Sequence, residues 1–315
     1  MAWKNYGIIE TKNLDAEKFT TDFGIKARRI INPVVKLGIK AVVKEKINIV
    51  EYPKLEKKEP YIFAAGHSFP GEIAANLASI DRNAYVLIGT TDQLDHNPQM
   101  YAAWLNGLIY VNRLDPKSRK ECMKKMERVL NNGTSVLMFP EGVLNNSENL
   151  YCQPLFPGVY YLSQNTGKKV VPIVSHKEYG SDVINIAASE PIDLTNMTKK
   201  EALSELRDAL STLRYNLVDN SQILRREDLQ GDIHLQHLER RKNTYNEVKW
   251  TKDVWEEEIR VYHEGGMLFP SEVWQTLENV QITPENAWIF APILAQIEED
   301  KKYDIVRYMK KNWNK

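Results

Sequence analysis

The chain has 315 residues, in which 42 lysines and arginines balance 42 aspartates and glutamates. That length holds one large domain with an appendage or two modest domains, and the balance gives no support for a nucleic-acid partner. Two cysteines without metal-type spacing, Cys122 and Cys152, argue against a disulfide scaffold or a zinc site and fit a reducing compartment. The N-terminus lacks the apolar core of a secretory signal, and no uncharged apolar run approaches the roughly 18–20 residues of a membrane span. The expectation is a cytoplasmic protein with at most a peripheral grip on the inner face of a membrane.

Residues 1–22 are polar and carry little information. From Phe23 to Lys46, apolar residues recur at helical spacing among Lys26, Arg28, Arg29, Lys36, Lys40, Lys44 and Lys46. Pro33 and Gly38 are expected to kink or divide this segment. It reads either as a helix packed on the domain with solvated lysines, or as an interfacial helix whose basic residues meet anionic headgroups.

Ile47–Tyr52 and Tyr61–Ala65 follow as strands, then a glycine-bounded turn and a helix from Glu72. Ala84–Gly89 and Gly107–Arg113 read as strands, with a helix expected through Met100–Leu105 between them. Ser118–Asn131 reads as a helix and Thr134–Phe139 as a strand. A helix opening at Pro157-Gly158 and strands at Val170–Ser175 and Val183–Ala188 come next, then an amphipathic helix over Lys199–Asn216. Strands alternating with helices predict an α/β domain with a mixed, partly parallel sheet flanked by helices. Ligands in such sheets sit at the carboxyl ends of strands, where His67, Arg113 and Glu141 all fall. Three regions are expected: a basic amphipathic arm (1–46), a catalytic domain (47–216) and a helical C-terminal extension (217–315).

His67 leaves a strand and Glu72 opens the next helix. A carboxylate there can accept the proton of one ring nitrogen and leave the other free as a base. The helix N-terminus favours the ionised carboxylate.

Four blocks in order carry a resemblance. His67-Ser-Phe-Pro-Gly-Glu72 resembles the His-x4-Asp/Glu motif of the glycerolipid (1-acylglycerol-3-phosphate type) acyltransferases. Gly107-Leu-Ile-Tyr-Val-Asn-Arg113, Phe139-Pro140-Glu141-Gly142 and Val170-Val-Pro-Ile-Val174 are similar to that family's later blocks. The likeness covers roughly residues 48–195. It implies acyl transfer from acyl-CoA or an acyl-carrier protein to a lysophospholipid hydroxyl, such as that of 1-acylglycerol 3-phosphate. It implies His67 as base, Glu72 as its orienting acid, and Arg113, Phe139, Pro140, Glu141 and Gly142 as the acceptor pocket. No metal or other cofactor is implied, and residues 23–46 are expected to meet a membrane surface.

The chain departs from the family pattern in four places. Gly66 stands where the family usually has Asn, and the acid is Glu rather than the commoner Asp. Val143-Leu144 replaces the usual Thr-Arg or Ser-Arg, and Gly89-Thr-Thr-Asp92 lacks the lysine often found before the second block. Two phosphate-binding cations are therefore missing. Two other functions remain open: a serine hydrolase using Ser68 in a Gly66-His-Ser-Phe-Pro70 elbow, or a non-catalytic lipid-binding relative.

Overall fold

The computed structural model describes residues 20–69, 71–89, 105–111, 116–142, 144–145, 150–178, 181–221 and 283. The chain divides into two compact units, Met1–Gln222 and Ile223–Lys315. The expected helical extension beyond Ser221 (Thr283 apart), all but the last residue of the helix expected through Met100–Leu105, and Arg113 lie outside the described residues.

Seven strands form one sheet: β1 (Lys46–Glu51), β2 (Ile62–Ala65), β3 (Ala84–Gly89), β4 (Leu108–Val111), β5 (Ser135–Met138), β6 (Val170–Lys177) and β7 (Val183–Ala188). Their order is β1-β7-β6-β2-β5-β3-β4. Only the β6–β7 pair runs antiparallel, in register Ile173 to Ala188. Among the described residues five helices flank the sheet: α1 (Asp22–Val42), α2 (Glu72–Ser79), α3 (Pro116–Asn131), α4 (Gly158–Thr166) and α5 (Lys199–Asp219).

Strand β2 is central and buried along its whole length (Ile62, Phe63, Ala64, Ala65), as expected of a parallel strand covered on both faces. Alternate residues feed two cores. Phe63 and Ala65 join Ala75, Leu77 and Ile80 of the α2 layer, while Ile62 and Ala64 join Val129, Val159 and Leu210 of the α3–α5 layer. The carboxyl ends of β6, β2 and β5 are thereby neighbours at one edge, and the loops that leave them meet.

Helix α1 is one continuous helix of 21 residues with Pro33 inside it, which corrects the expected division at Pro33 or Gly38. Thr21 caps it, its side chain accepting from Gly24 N at 3.1 Å. Contacts on both sides of the proline fasten the helix to the domain. Ile25, Asn32 and Ile39, seven residues apart, are buried. Arg29 donates to Thr134 Oγ1 at 2.9 Å and to the Asn132 carbonyl. Lys36 donates to the Ile80 carbonyl, and burial pushes its amine down to about 8. Two of the basic residues expected to face solvent or lipid thus face the protein instead, at the amino-terminal ends of β3 and β5. The opposite stripe is apolar: Phe23, Ile30, Val34 and Leu37 are 82%, 79%, 72% and 69% exposed. No helix among the described residues is long and apolar enough to cross a membrane.

Gly107 holds φ at +122°, and a Cβ there would lie 2.6 Å from the Tyr85 ring. The glycine that opens the Gly107–Arg113 block is therefore set by packing against Tyr85. Gly107→Ala combines a strained φ with overpacking, and should cost about 2–4 kcal/mol in urea denaturation.

Candidate active site

The site begins where β2 ends. Gly66 N donates to the Ile173 carbonyl at 3.0 Å, so the β2–β6 ladder continues to the residue before His67. Gly71 then takes φ +95°, a left-handed conformation that reverses the chain and starts α2 directly at Glu72. This turn brings a side chain from the strand exit and one from the first helical turn together across five residues.

His67 Nδ1 is hydrogen-bonded to Glu72 Oε1. An ionised carboxylate only accepts, so Nδ1 carries the proton, and in the neutral ring Nε2 then keeps a free lone pair. The Glu72 carboxylate is fully buried and saturated with donors. Ser68 N reaches Oε1 at 3.0 Å and Oε2 at 2.8 Å, and Ser175 Oγ reaches Oε2 at 3.3 Å. The imidazole, by contrast, remains 22% exposed. A buried carboxylate is costly unless its oxygens are satisfied; here three donors and the α2 N-terminus offset that cost.

A second buried carboxylate fixes the histidine's backbone. Glu141 Oε1 accepts from His67 N at 2.8 Å, and Oε2 accepts from Gln153 N at 2.7 Å. Asn145 N donates to the His67 carbonyl at 2.6 Å, so both peptide groups of His67 are held. Burial pushes the Glu141 carboxyl up to about 7, opposed by the two backbone donors and His67 and assisted by the nearby Glu72 charge. A Cβ on Gly66 would touch Val174 at 3.5 Å and Glu141 Oε1 at 3.7 Å, so the carboxylate packs beside a bare Cα.

The remaining block residues surround this pair. Pro140 and Glu141 form a turn closed by Gly142 N donating to the Phe139 carbonyl at 3.0 Å, with Gly142 at φ +71°. The Phe139 ring lies 4.7 Å from the His67 ring, tilted 40°, and makes one wall of the imidazole's surroundings. The Pro140 carbonyl accepts from Phe156 N at 2.8 Å. Five of the residues singled out in the sequence therefore converge with Glu72: His67, Phe139, Pro140, Glu141 and Gly142. Glu141, expected in the acceptor pocket, has both oxygens occupied by backbone donors.

Ser68 presents its N–H to Glu72, and its Oγ is enclosed with no hydrogen-bond partner among the described residues. The nucleophile–base pair a serine hydrolase requires is therefore not formed at Ser68 by any described histidine. His176 is half-buried, and burial and the Arg214 charge push it down to about 4. The sequence reading missed Ser175 and Gln153. Ser175 is signalled by being the one hydroxyl in the buried part of β6, whereas Gln153 acts only through its backbone.

Comparison with known proteins bears on this arrangement. Residues 46–176 match the sequence model of the Acyltransferase family. Residues 46–176 are an Acyltransferase-family domain. Over 73 residues it is 33% identical to the chloroplastic 1-acyl-sn-glycerol-3-phosphate acyltransferases BAT2 of Brassica napus and LPAT1 of Arabidopsis thaliana. Those alignments cover 23% of this chain and only 21% and 20% of the two relatives. The crystal structure of the 1-acyl-sn-glycerophosphate acyltransferase PlsC from Thermotoga maritima superimposes with a TM-score of 0.50 at 16% identity. That match covers 63% of this chain and 84% of PlsC. The acyltransferase domain thus shares the PlsC fold: a mostly parallel sheet flanked by helices.

Glu141→Ala leaves the N–H groups of His67 and Gln153 without their acceptor, and should cost about 1–3 kcal/mol for each in a denaturation experiment. A carboxyl raised from its ordinary value to about 7 binds its proton more tightly in the folded state. The native chain therefore holds more protons than the unfolded chain between about pH 4.5 and 7, and stability falls as pH rises through that window. Relative to Glu141→Gln, wild type should lose about 3 kcal/mol across it, read from urea midpoints at each pH.

Proposed function

We propose that the domain transfers a fatty acyl group from an acyl thioester, on CoA or an acyl-carrier protein, to the hydroxyl of a lysophospholipid. The observation that carries this reading is the His67–Glu72 pair: an imidazole partly open to solvent, bonded through Nδ1 to a buried carboxylate. Nε2 takes the hydroxyl proton as the alcohol oxygen bonds to the thioester carbonyl carbon. The carbonyl electron pair moves onto oxygen and returns as the carbon–sulfur bond breaks. The departing thiolate then recovers the proton from the imidazolium. The products are an ester and a free thiol, and no covalent enzyme intermediate is required. Glu72 fixes the tautomer and stabilises the imidazolium, while Glu141 holds the backbone that carries it. The relatives named as 1-acyl-sn-glycerol-3-phosphate acyltransferases support 1-acylglycerol 3-phosphate as the molecule whose hydroxyl accepts the acyl group.

Incubation of the chain with a labelled acyl thioester and a panel of lysolipids tests this directly. His67→Ala should lower kcat by about 10²–10⁴-fold. Glu72→Gln keeps the shape but loses the charge facing the imidazolium, and should fall in the same range. Product formation that survives His67→Ala would refute the assignment. Lysolipid binding without turnover would instead favour a non-catalytic relative.

Peripheral attachment to the inner face of a membrane belongs to the same proposal, through α1 and the basic residues near it. The exposed stripe of Phe23, Ile30, Val34 and Leu37 suits burial among acyl chains, with Lys26, Lys40 and Lys44 exposed nearby for anionic headgroups. Deleting the helix would also remove Ile25 and Ile39 from the core, so the test is a surface change. Val34→Asp with Leu37→Asp should cut co-sedimentation with anionic liposomes at least tenfold while leaving the denaturation midpoint nearly unchanged. Equal pelleting would reject α1 as the anchor.

A further inference from the structure

The last helix of the domain carries a charged side chain that the acyl-transfer reading has not used. Helix α5 packs on β6 and β7 through Leu206, Leu210, Leu213 and Leu217, all buried. It is also fastened to the segment after the Glu141 turn at two points. Arg207 Nε donates to the Cys152 carbonyl at 3.2 Å, and the Tyr215 ring stands edge-on to Tyr151 at 5.6 Å. Gln153, next in that segment, is the residue whose N–H holds Glu141. Arg214 lies between these two fastenings, two helical turns beyond Arg207 and beside Tyr215.

Arg214 is half-buried, and its guanidinium makes no hydrogen bond or ion pair with any described residue. It lies close enough to Glu72, Glu141 and His176 to feel or exert their charge. Those neighbours put it at the carboxyl edge of β2, β5 and β6, the edge that carries His67. Both oxygens of each carboxylate accept from other donors, and neither carboxylate forms a hydrogen bond or ion pair with Arg214. His176 is held neutral and does not compete for an anion as a cation would. A guanidinium has five N–H donors in a fork that fits phosphate, and leaving them half-buried without an acceptor is unfavourable. The substrates of the proposed reaction supply that anion. A lysophosphatidate carries a phosphate on the carbon next to its free hydroxyl, and acyl-CoA carries several.

We propose that Arg214 is the phosphate ligand of this site, reaching from α5 to the phosphate of a substrate bound against His67. This inference rests on the acyl-transfer reading for the identity of the ligand. It also gives the site a cation that the Val143-Leu144 stretch does not provide.

The test uses the full chain as wild type, Arg214→Met and Arg214→Lys, with two readouts. In the first, acyl transfer compares 1-acylglycerol 3-phosphate with 1-acylglycerol as acceptor, and acyl-CoA with acyl-pantetheine as donor. Arg214→Met should raise KM for the phosphate-bearing member of one pair about 10–100-fold more than for its phosphate-free counterpart. The pair that responds identifies whether the phosphate belongs to the headgroup or to CoA. Arg214→Lys keeps the charge without the fork and should recover part of the loss. Equal effects on phosphate-bearing and phosphate-free substrates in both pairs would overturn the inference. In the second, thermal midpoints are measured with inorganic phosphate, glycerol 3-phosphate and glycerol. A shift with the two phosphates that disappears in Arg214→Met supports the ligand assignment; a shift retained in the variant, or absent from wild type, overturns it. Wild type that transfers to no acceptor would refute the acyl-transfer reading while the second readout still decides Arg214. If the methionine variant does not fold, the lysine variant carries both comparisons.

Discussion

A single buried carboxylate organises the candidate site of this domain. Glu72 is removed from water, and the structure around it exists largely to satisfy its two oxygens: the Ser68 peptide, the Ser175 hydroxyl on β6, the first turn of α2 and the imidazole itself. Because its other bonds are to rigid elements, the direction of the remaining one is fixed, and so is the ring it holds. Gly71 makes this arrangement possible. Its left-handed backbone, at φ +95°, is one that glycine adopts without strain, and the helix begins at the next residue.

The second carboxylate works at the level of the backbone. Glu141 packs beside Gly66 and ties His67 N to Gln153 N. Two acidic groups on the same edge thus divide their work: one orients the ring, the other anchors the peptide that bears it. Their proximity raises the Glu141 carboxyl further, which lowers the stability of the domain at neutral pH and above. The sheet order makes this possible, since β6, β2 and β5 are adjacent and end together.

Much of this was legible in the residues. The strand Ile62–Ala65 is uniformly apolar, the Glu72 helix follows a glycine, and the alternation of strands with helices specifies the layer architecture. The expected boundaries of Val183–Ala188 agree with the structure, and those of β6 and α5 differ only at their ends, where apolar periodicity fades before the backbone bonds do. What the sequence hid has physical reasons. Pro33 signals a break, but contacts on both of its flanks keep α1 helical. Lys36 and Arg29 resemble solvated charges until the chain folds and their heads meet the Ile80 carbonyl and Thr134. Gln153 was invisible because its contribution is a peptide N–H, which every residue but proline possesses. Arg214 is far from His67 along the chain, and only the fold brings it to the same edge.

The position of one proton decides between this mechanism and its alternatives, and nitrogen NMR of histidine-labelled protein reads that position directly. With the imidazole neutral, His67 should be the Nδ1–H tautomer, with that preference lost in Glu72→Ala. An Nε2–H ring in wild type, or a tautomer indifferent to residue 72, would contradict it.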